Sequence, residues 1–312
     1  MREKNTAAEN VCGDKEPVRI QMQLRRYAET DSLGVITTDE IRLICPVCGR
    51  ELIKNEKSYS CKKRHSFDIA RQGYVNLLPV QNKHSLSPGD TKAMLSARRN
   101  FLDKEYYLPL CSDIADMIKK YSPSQRPVII DSGSGEGYYT VQLKERCNAV
   151  CMGVDIAKEA SKMSCSRDKE ILWAVATASH IPVEDNSADV VTAVFSLFMN
   201  DEYARVLKEG GIVVEVTAGS KHLTELKQII YDEVFEQNKK PSSFGEQYSL
   251  ITQEDRVFGI DIGRQDLEAL LMMTPHSHRI SREQSERIEK IDNIRITVNY
   301  IIRVLKKKEK GS

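Results

Sequence analysis

A glycine-rich loop between a strand and a helix is the feature that most constrains how this chain can fold. The apolar run Val128–Asp131 predicts a buried strand, and Tyr138–Arg146 predicts a helix. Between them stand Gly133, Gly135 and Gly137, which permit tight turns and a close approach of a ligand to the backbone. A strand, such a loop and a helix in this order predict a Rossmann-like fold that binds a cofactor at the loop.

Strands and helices alternate along the rest of the chain. The predicted strands are Val150–Asp155, Ile171–Val175, Asp189–Phe195, Ile212–Thr217, Ser277–Ile280 and Ile294–Leu305. The predicted helices are Lys158–Ser164, Asp201–Lys208, Lys221–Glu236 and Arg264–Met273, and a turn is expected at Gly210–Gly211. This succession predicts an α/β fold, in which helices cover both faces of an open, mostly parallel sheet. The last two strands predict an antiparallel hairpin at one edge of that sheet.

A group of cysteines and a histidine near the N-terminus has the spacing of a metal site. Cys45 and Cys48 form a C-x2-C motif, and after twelve intervening residues Cys61 and His65 form C-x3-H. Structural zinc takes four sulfur or nitrogen ligands in a tetrahedron, so these four residues predict a zinc site whose shell is full. The alternative is a chance cluster of core residues, which the charged neighbours between Cys61 and His65 make less favourable. The other cysteines, Cys12, Cys111, Cys147, Cys151 and Cys165, are expected to be ordinary buried thiols.

We divide the chain into four segments. Residues 1–40 are a polar extension that is expected to be disordered, residues 41–82 a zinc-binding module, residues 83–124 a helical linker and residues 125–312 a catalytic domain. The module is expected to contain short strands at Arg42–Ile44, Ser58–Ser60 and Ser66–Ile69 and an extended exit at Tyr74–Pro79. The linker is expected to contain a helix from the N-cap Asp90 to Leu102 and a second over Tyr107–Tyr121.

Charge is distributed unevenly, although the net charge is only +1. Residues 41–104 hold 13 Lys/Arg and 5 Asp/Glu, whereas residues 105–312 hold 27 and 32. A basic module on an acidic domain indicates a polyanionic partner, the alternative being a solvated basic face. Tyr59, Phe67 and Tyr74 are interleaved among the basic residues, which suits stacking on RNA bases, but for Tyr59 and Phe67 a place in the module's core is favoured.

Nothing in the sequence suggests a membrane or secreted protein. No apolar run approaches the roughly 20 residues that span a bilayer, and residues 1–40 lack the apolar core of a signal peptide. A cytoplasmic protein without membrane contact is therefore expected.

The spacing of the glycine loop favours one class of cofactor. Dinucleotide sites read G-x-G-x-x-G around a pyrophosphate, whereas this loop reads G-x-G-x-G. The loop also contains Glu136, whose carboxylate would repel a pyrophosphate but is compatible with a ligand that carries an amine and a sulfonium. Asp155 ends the next strand, where it can bond ribose hydroxyls, and Thr177 follows the third strand, where adenine would lie. The loop thus predicts S-adenosylmethionine (SAM) rather than NAD, and a degenerate loop that binds nothing is the remaining alternative.

The predicted fold is then a Rossmann-like class I SAM methyltransferase with a small zinc-ribbon-like module at its N-terminal side. The candidate cofactor-binding residues are Asp131, Gly133, Gly135, Glu136, Gly137, Tyr138, Asp155, Ile156, Thr177 and Ala178.

Several motifs in order resemble one enzyme family, the RlmA family of 23S rRNA (guanine-N1)-methyltransferases. They read CPVC at 45–48, CKKRHSFD at 61–68, GYVNLLPVQ at 73–81, PGD at 88–90, ARR at 97–99, FL at 101–102, GEGYYT at 135–140, HL at 222–223, ELK at 225–227 and MTP at 273–275. The resemblance covers roughly residues 42–305. It departs at Ser134, where many relatives have cysteine, at Phe195–Asn200, and in the forty-residue extension.

The resemblance implies an activity and partners. A member would transfer a methyl group from SAM to N1 of one guanine in a hairpin of domain II of 23S rRNA. It would act as a homodimer whose zinc modules form part of an RNA cleft. In one branch of the family the methylation is linked to antibiotic resistance against macrolide-type compounds, and the branch of this chain is left open.

Residues for the methyl acceptor are expected after the fourth strand, where this fold places its target. Ser196 and Asn200 are candidates for hydrogen bonds to guanine, and Phe195 or Phe198 for stacking, although a core position is favoured for Phe195. His180 is a candidate base for which a structural role is favoured, so no general base is assigned. The alternatives are a methyltransferase of a small molecule or protein with the zinc module as a lid, and a non-catalytic RNA-binding protein.

Overall fold

A computed structural model describes residues 40–79, 89–231, 243–274 and 281–309. The extension at residues 1–39 and the predicted strand Ser277–Ile280 lie outside these described residues. Within them, no helix has the length and apolar character that crossing a membrane requires.

The described strands form two sheets. The small sheet consists of β1 (Leu52–Lys54), β2 (Ser58–Cys61) and β3 (Ser66–Asp68). The large sheet consists of β4 (Val75–Asn76), β5 (Val128–Ser132), β6 (Val150–Asp155), β7 (Leu172–Val175), β8 (Ala188–Val194), β9 (Leu207–Ala218), β10 (Tyr248–Gly263) and β11 (Asn293–Lys307). The described helices are α1 (Lys92–Leu102), α2 (Leu108–Tyr121), α3 (Tyr138–Cys147), α4 (Lys158–Ser164), α5 (Asn200–Val206), α6 (Thr224–Ile230), α7 (Arg264–Met272) and α8 (Arg282–Glu289).

The large sheet has the order β10-β11-β9-β8-β5-β6-β7-β4. Its strands from β9 to β4 run parallel, and β11 and β10 are antiparallel at one edge. Every residue of β5 and β8 is buried, because parallel strands at the centre of such a sheet are covered on both faces. The predicted α/β architecture with a mostly parallel sheet and an antiparallel edge is confirmed.

The zinc-binding segment adjoins the large sheet at two places. The predicted extended exit contains β4, which pairs in parallel with β7 as the outermost strand. Leu43 forms an antiparallel bridge with Val183, and the N–H of Ile44 donates to the carbonyl of Pro182 at 3.0 Å. These contacts connect the small sheet to the edge of the large one by backbone hydrogen bonds.

Two element boundaries differ from the sequence prediction. The N-cap of α1 is Thr91, whose hydroxyl accepts from the Met94 N–H at 3.3 Å, and the carboxylate of Asp90 instead pairs with Arg98. The expected turn at Gly210–Gly211 lies inside the continuous strand β9, where the pairing with β8 is irregular. The strand begins before the glycines because Leu207 already pairs with β8.

The predicted helix Lys221–Glu236 lies within the described residues only as far as Tyr231, and in that part the structure has the shorter helix α6. Leu223 has a left-handed backbone with φ 54° that a right-handed helix cannot contain, so α6 begins only at Thr224. It ends at Ile230 because Tyr231 is extended.

The edge strand β10 and the helix α8 were missed. The predicted Ile294–Leu305 strand is confirmed as part of β11. This strand pairs antiparallel with β9 on one side and with β10 on the other, and the helices α7 and α8 separate β10 from β11 in sequence. The pair is therefore not a hairpin. Most residues of β10 are exposed or half-buried, so an edge strand of this kind carries only a weak apolar signal.

Candidate active site and zinc centre

The four predicted metal ligands come together in the small sheet. Cys45 and Cys48 lie on a tight turn, in which the N–H of Gly49 donates to the carbonyl of Cys45 at 2.8 Å. Cys61 ends β2 and His65 precedes β3, so the hairpin returns them to the turn. All four ligand atoms lie within 4.8 Å of one another.

The distances between these atoms test whether zinc fits. The Sγ atoms of Cys48 and Cys61 are 3.7 Å apart, and Nδ1 of His65 lies 3.4 Å from Sγ of Cys45 and 3.5 Å from Sγ of Cys61. A tetrahedron with Zn–S bonds of about 2.3 Å and Zn–N bonds of about 2.0–2.1 Å has edges of roughly 3.5–3.8 Å. The cluster therefore has the size and the donor set of a structural zinc site, with Nδ1 as the histidine ligand.

The remaining described cysteines have the environment expected of them. Cys111, Cys147, Cys151 and Cys165 are all buried. Burial raises the pKa of Cys147 to about 11 and that of Cys165 to about 11. They are unreactive core thiols, as predicted, whereas Cys12 lies outside the described residues.

The aromatic residues of the module are not all available for stacking. Tyr59 is buried and Phe67 is half-buried, which agrees with the core role favoured for both. Tyr74 is also buried, so it is not the exposed stacking residue that the sequence allowed. By contrast, the basic run Lys62–Arg64 between two zinc ligands is fully on the surface.

The glycine loop lies where the order of the large sheet reverses. The chain runs from β5 outward through β6 to β7 and then returns to β8 on the other side of β5. In open α/β sheets, ligands bind at the carboxyl ends of the strands at this switch point, because the connections diverge there and leave a crevice. The loop at residues 133–137 leaves β5 at that position.

Two loop glycines are required by their surroundings. Gly133 has φ +82°, and a Cβ there would lie 2.7 Å from Cβ of Ser196. Gly137 has φ +91°, and a Cβ there would lie 2.8 Å from the ring of Trp173. Both distances are shorter than carbon atoms tolerate, so the loop can follow this path between its neighbours only with glycine at these positions.

Asp155 is held beside the loop by backbone hydrogen bonds. Its Oδ2 accepts from the Gly135 N–H at 2.8 Å, and its Oδ1 accepts from the Ala157 N–H at 2.8 Å. Burial raises its pKa above the ordinary range, and the two backbone donors oppose that rise. The carboxylate at the end of β6 is thus oriented at the same edge as the loop, and Ile156 follows it directly.

The segment after β7 forms a tight turn at this edge. The hydroxyls of Thr177 and Ser179 lie 2.9 Å apart, and the N–H of His180 donates to the carbonyl of Thr177 at 3.1 Å. Thr177 and Ala178 are half-buried, whereas His180 is exposed.

Asp131 is more enclosed than the sequence suggested. Its carboxylate accepts from the hydroxyl of Thr140 on α3 at 2.5 Å and from that of Thr192 on β8 at 2.8 Å. Burial raises its pKa to about 6, against these two hydrogen bonds. Asp131 therefore ties the strand β5 to its neighbours, and it can act on a ligand through its charge.

The environment of Glu136 differs from the sequence prediction, in which its carboxylate would repel a pyrophosphate. Its carboxylate is buried, and Oε2 accepts from Nε of Arg99 at 3.0 Å and from Nε of Arg167 at 2.5 Å. Two guanidinium groups compensate its charge, so the expected repulsion of a pyrophosphate by this side chain has no support in the geometry. Both arginines were missed, because they lie 37 and 31 residues away in sequence.

The end of β8 turns an aromatic side chain outward. Phe195 has φ 52°, in the left-handed region that non-glycine residues rarely adopt, and is 40% exposed. Its ring lies 5.5 Å from the ring of His222 and 6.5 Å from that of Tyr107. The core position favoured for Phe195 is therefore wrong. A strained residue at a switch point is typical of functional sites.

The other candidates for contact with the methyl acceptor lie in two places, Ser196 beside the glycine loop and Asn200 and Phe198 near the start of β10. Ser196 lies next to the loop, and its hydroxyl donates to the carbonyl of Ser132 at 2.7 Å. Asn200 accepts from the Gly245 N–H at 2.7 Å and donates to the carbonyl of Ser243, so both ends of its amide hold the segment before β10. Phe198 packs against tyrosine rings in the same region.

Comparisons with known proteins agree with this site. The zinc-ribbon family described as "RlmA, N-terminal" matches residues 43–86, and the family described as "Methyltransferase domain" matches residues 130–214. The first match contains all four zinc-site residues, and the second contains the glycine loop and the strand ends.

Three proteins similar to this chain carry names of 23S rRNA guanine-N1 enzymes. A protein of Bacillus subtilis (strain 168), YxjB, provisionally named as a 23S rRNA (guanine-N(1)-)-methyltransferase, is 28% identical over 85% of this chain and 97% of its own length. The 23S rRNA (guanine(748)-N(1))-methyltransferase of Streptomyces fradiae is 32% identical over 59% of this chain and 66% of its own length. A Micromonospora griseorubida protein with a provisional name of the same kind is 32% identical over 59% of this chain and 68% of its own length.

The four-residue cluster thus lies in the zinc-ribbon match and the loop at the switch point in the methyltransferase match. The chain is a SAM-dependent methyltransferase with an N-terminal zinc ribbon, and it belongs to the RlmA family.

Proposed function

We propose that this chain transfers a methyl group from SAM to N1 of one guanine in a hairpin of 23S rRNA. The observation that carries the proposal is the exposed basic run Lys62–Arg64, which lies between the zinc ligands Cys61 and His65 of the family's ribbon. A ribbon that presents cations on a stiff loop suits contact with phosphates, which dominate the affinity of proteins for nucleic acid. The three relatives compared carry names of 23S rRNA guanine-N1 enzymes.

One zinc ion would be held by the ribbon. Its ligands would be the Sγ atoms of Cys45, Cys48 and Cys61 and Nδ1 of His65. Because four protein ligands leave no open position, the ion would be structural and would fix the basic loop.

The cofactor would lie along the carboxyl edge of the large sheet. The residues proposed to line it are Asp131, Gly133, Gly135, Glu136, Gly137, Tyr138, Asp155, Ile156, Thr177 and Ala178. Asp155 would bond the ribose hydroxyls, the turn at Thr177 would meet the adenine, and Glu136 would contribute through its backbone, since its side chain binds arginines. When bound, SAM supplies a methyl group made electrophilic by the sulfonium.

The guanine would lie against Phe195. The exposed ring of Phe195 beside His222 offers a stacking surface next to the loop, and Ser196 is close enough to the loop to contact a base there. N1 of guanine carries a proton at neutral pH, which must leave before or during attack on the methyl group. Holding the flipped base in line with that methyl group would supply much of the rate. No described side chain is assigned as the general base.

The family resemblance supports a homodimer in which zinc modules form part of the RNA cleft. A cytoplasmic location is also part of the proposal. A link to macrolide resistance would follow only if the chain belongs to the branch of the family in which the methylation has that effect. The direct test of the function is incubation with labelled SAM and 23S rRNA that lacks the modification, followed by mapping of the labelled nucleotide. Label at N1 of one guanine would support the proposal, and label absent from RNA but present in a small molecule or protein would contradict it.

Charge reversal in the ribbon should weaken RNA binding and spare the cofactor. Replacing Lys62, Lys63 and Arg64 by glutamate removes up to three phosphate contacts and adds repulsion. The affinity for 23S rRNA should fall roughly 10- to 1000-fold, and the slope of log K against log salt should become shallower by about two to three. SAM affinity should stay nearly constant. Filter-binding titrations at several salt concentrations measure the RNA affinity and its dependence on salt.

A matched control variant tests whether the loss of RNA affinity depends on the position of the reversed charges or only on the net charge of the chain. Reversal of Lys119, Lys120 and Lys290, which are exposed elsewhere, changes the net charge equally and should have a much smaller effect. If the ribbon variant binds rRNA as tightly as the natural sequence, the zinc module acts as a lid, and a small-molecule or protein substrate becomes the better explanation.

Loss of the Asp155 carboxylate should weaken the cofactor complex. The Asp155→Ala variant loses the charged acceptor for the ribose hydroxyls, so SAM binding should weaken by about 1.5–3 kcal/mol. Calorimetric titration with SAM measures it. The control is Asp185→Ala, which removes an exposed carboxylate paired with Arg205 and should bind SAM normally. An Asp155→Ala affinity equal to that of the control would show that another acid contacts the ribose.

A further inference from the structure

An ion pair beside the glycine loop has no role in the function described so far. Nη1 of Arg98 lies 2.5 Å from the carboxylate of Asp90, and the two side chains are 25% and 29% exposed. Nη2 of Arg98 donates to the carbonyl of Met273, which directly follows α7, at 3.3 Å. The guanidinium is therefore held in place from two sides while part of it faces solvent.

This pair lies directly at the proposed cofactor edge. A Cβ on Gly135 would be 3.4 Å from Nη1 of Arg98, so the guanidinium lies over the middle of the glycine loop. On the other side, a Cβ on Gly89 would be 2.8 Å from Cβ of Ala157, so the segment leading to Asp90 packs against the residues that follow β6. The pair thus spans the opening between the loop and the end of β6.

The chemistry of SAM makes this position significant. Its methionine end is a zwitterion at neutral pH, with a carboxylate and an ammonium group. Arg99 and Arg167, the other two described arginines beside the loop, both bind the buried carboxylate of Glu136. Arg98 is therefore the guanidinium that faces Gly135, and its five N–H donors can serve Asp90, the Met273 carbonyl and a further carboxylate together.

We propose that the Asp90–Arg98 pair recognises the amino-acid end of the cofactor, with Arg98 binding the carboxylate and Asp90 binding the ammonium. The assignment rests on the proposed cofactor site at the loop. A fixed pair of opposite charges matches a zwitterion without adding net charge to the site, and it rejects ligands that carry only one of the two groups, because the unmatched member of the pair would lose solvent without gaining a partner.

Ligands with different charged groups at the amino-acid end test this assignment, and each variant is compared with the natural sequence on the same ligand, so that differences at the sulfur cancel. S-adenosylhomocysteine carries both charged groups, 5′-methylthioadenosine carries neither, and decarboxylated SAM keeps only the amine. For Arg98→Gln, the affinity for S-adenosylhomocysteine should fall about 10- to 100-fold, while that for 5′-methylthioadenosine stays within about twofold. Asp90→Asn should weaken binding of decarboxylated SAM, and Arg98→Gln should not. All affinities come from calorimetric titration of the full chain.

The control is Arg126→Gln, which removes an arginine that pairs with Glu40 just before β5 begins, away from the loop. It should bind all three ligands as the natural sequence does. Unchanged affinity of Arg98→Gln for 5′-methylthioadenosine also reports that the variant is folded. If Arg98→Gln weakens all three ligands equally, or weakens none, the pair only joins α1 to α7 and the assignment is overturned. If the natural sequence binds none of them, the cofactor site itself is wrong and the assignment falls with it.

Discussion

Replacing Cys48 by serine should remove zinc from the chain and unfold the small sheet. The three strands of that sheet have only three, four and three residues, so they bury too little apolar surface to fold without a staple. In zinc-finger peptides the metal contributes an apparent binding free energy of about 10–16 kcal/mol, and that energy is folding free energy. We therefore expect zinc content to fall from one ion per chain to nearly none.

The structure also predicts where the unfolding should stop. Leu43 forms a backbone bridge with Val183, and the N–H of Leu77 donates to the carbonyl of Val175 at 2.9 Å, so both are held on the large sheet and should stay ordered without zinc. Hydrogen exchange should accordingly lose protection in β1, β2 and β3 and retain it in β4. The control Cys147→Ala, which changes a buried thiol next to the Ala115 carbonyl, should keep its zinc. Full zinc content and unchanged exchange in the Cys48→Ser variant would contradict the assigned ligand set.

The centre of the fold could be predicted because it is encoded locally. Buried parallel strands are unbroken apolar runs, so Val150–Asp155 and the following helix Lys158–Ser164 have the predicted bounds in the structure. The cluster of Cys45, Cys48, Cys61 and His65 could also be predicted, since the C-x2-C turn and the C-x3-H pair are short-range patterns. In both cases the signal lies within a few consecutive residues.

What could not be predicted depends on residues far apart in sequence. The direction of the Glu136 carboxylate is set by Arg99 and Arg167, which approach only after α1 and α4 have packed around the loop. The outward position of Phe195 depends on a left-handed backbone that its own residue type disfavours. Asp90 and Arg98 stand in two motifs of the family resemblance, but only the structure shows that they pair and that Arg98 faces Gly135.

A buried ion pair between β9 and β11 also could not be predicted from the sequence. Breaking this pair should strongly destabilise the fold. Glu215 on β9 and Arg303 on β11 are register partners, and their side chains are 1% and 5% exposed. The guanidinium also lies 5.8 Å from the ring of Phe198 and 5.5 Å from that of Phe244. Loss of the Glu215 carboxylate leaves the guanidinium of Arg303 in a site with almost no solvent exposure.

The Glu215→Ala variant should therefore lose about 3–5 kcal/mol of unfolding free energy, because it removes one partner of a buried ion pair and leaves the other buried. The double variant Glu215→Leu, Arg303→Met should regain most of that loss, since apolar side chains of similar volume replace both charges together. The exposed pair of Arg295 on β11 and Asp261 on β10 provides the control, and Asp261→Ala should hardly move the urea midpoint. Urea unfolding curves with a common slope measure all three variants. If the double variant is no more stable than Glu215→Ala, the loss comes from packing around the aromatic rings and not from the broken ion pair.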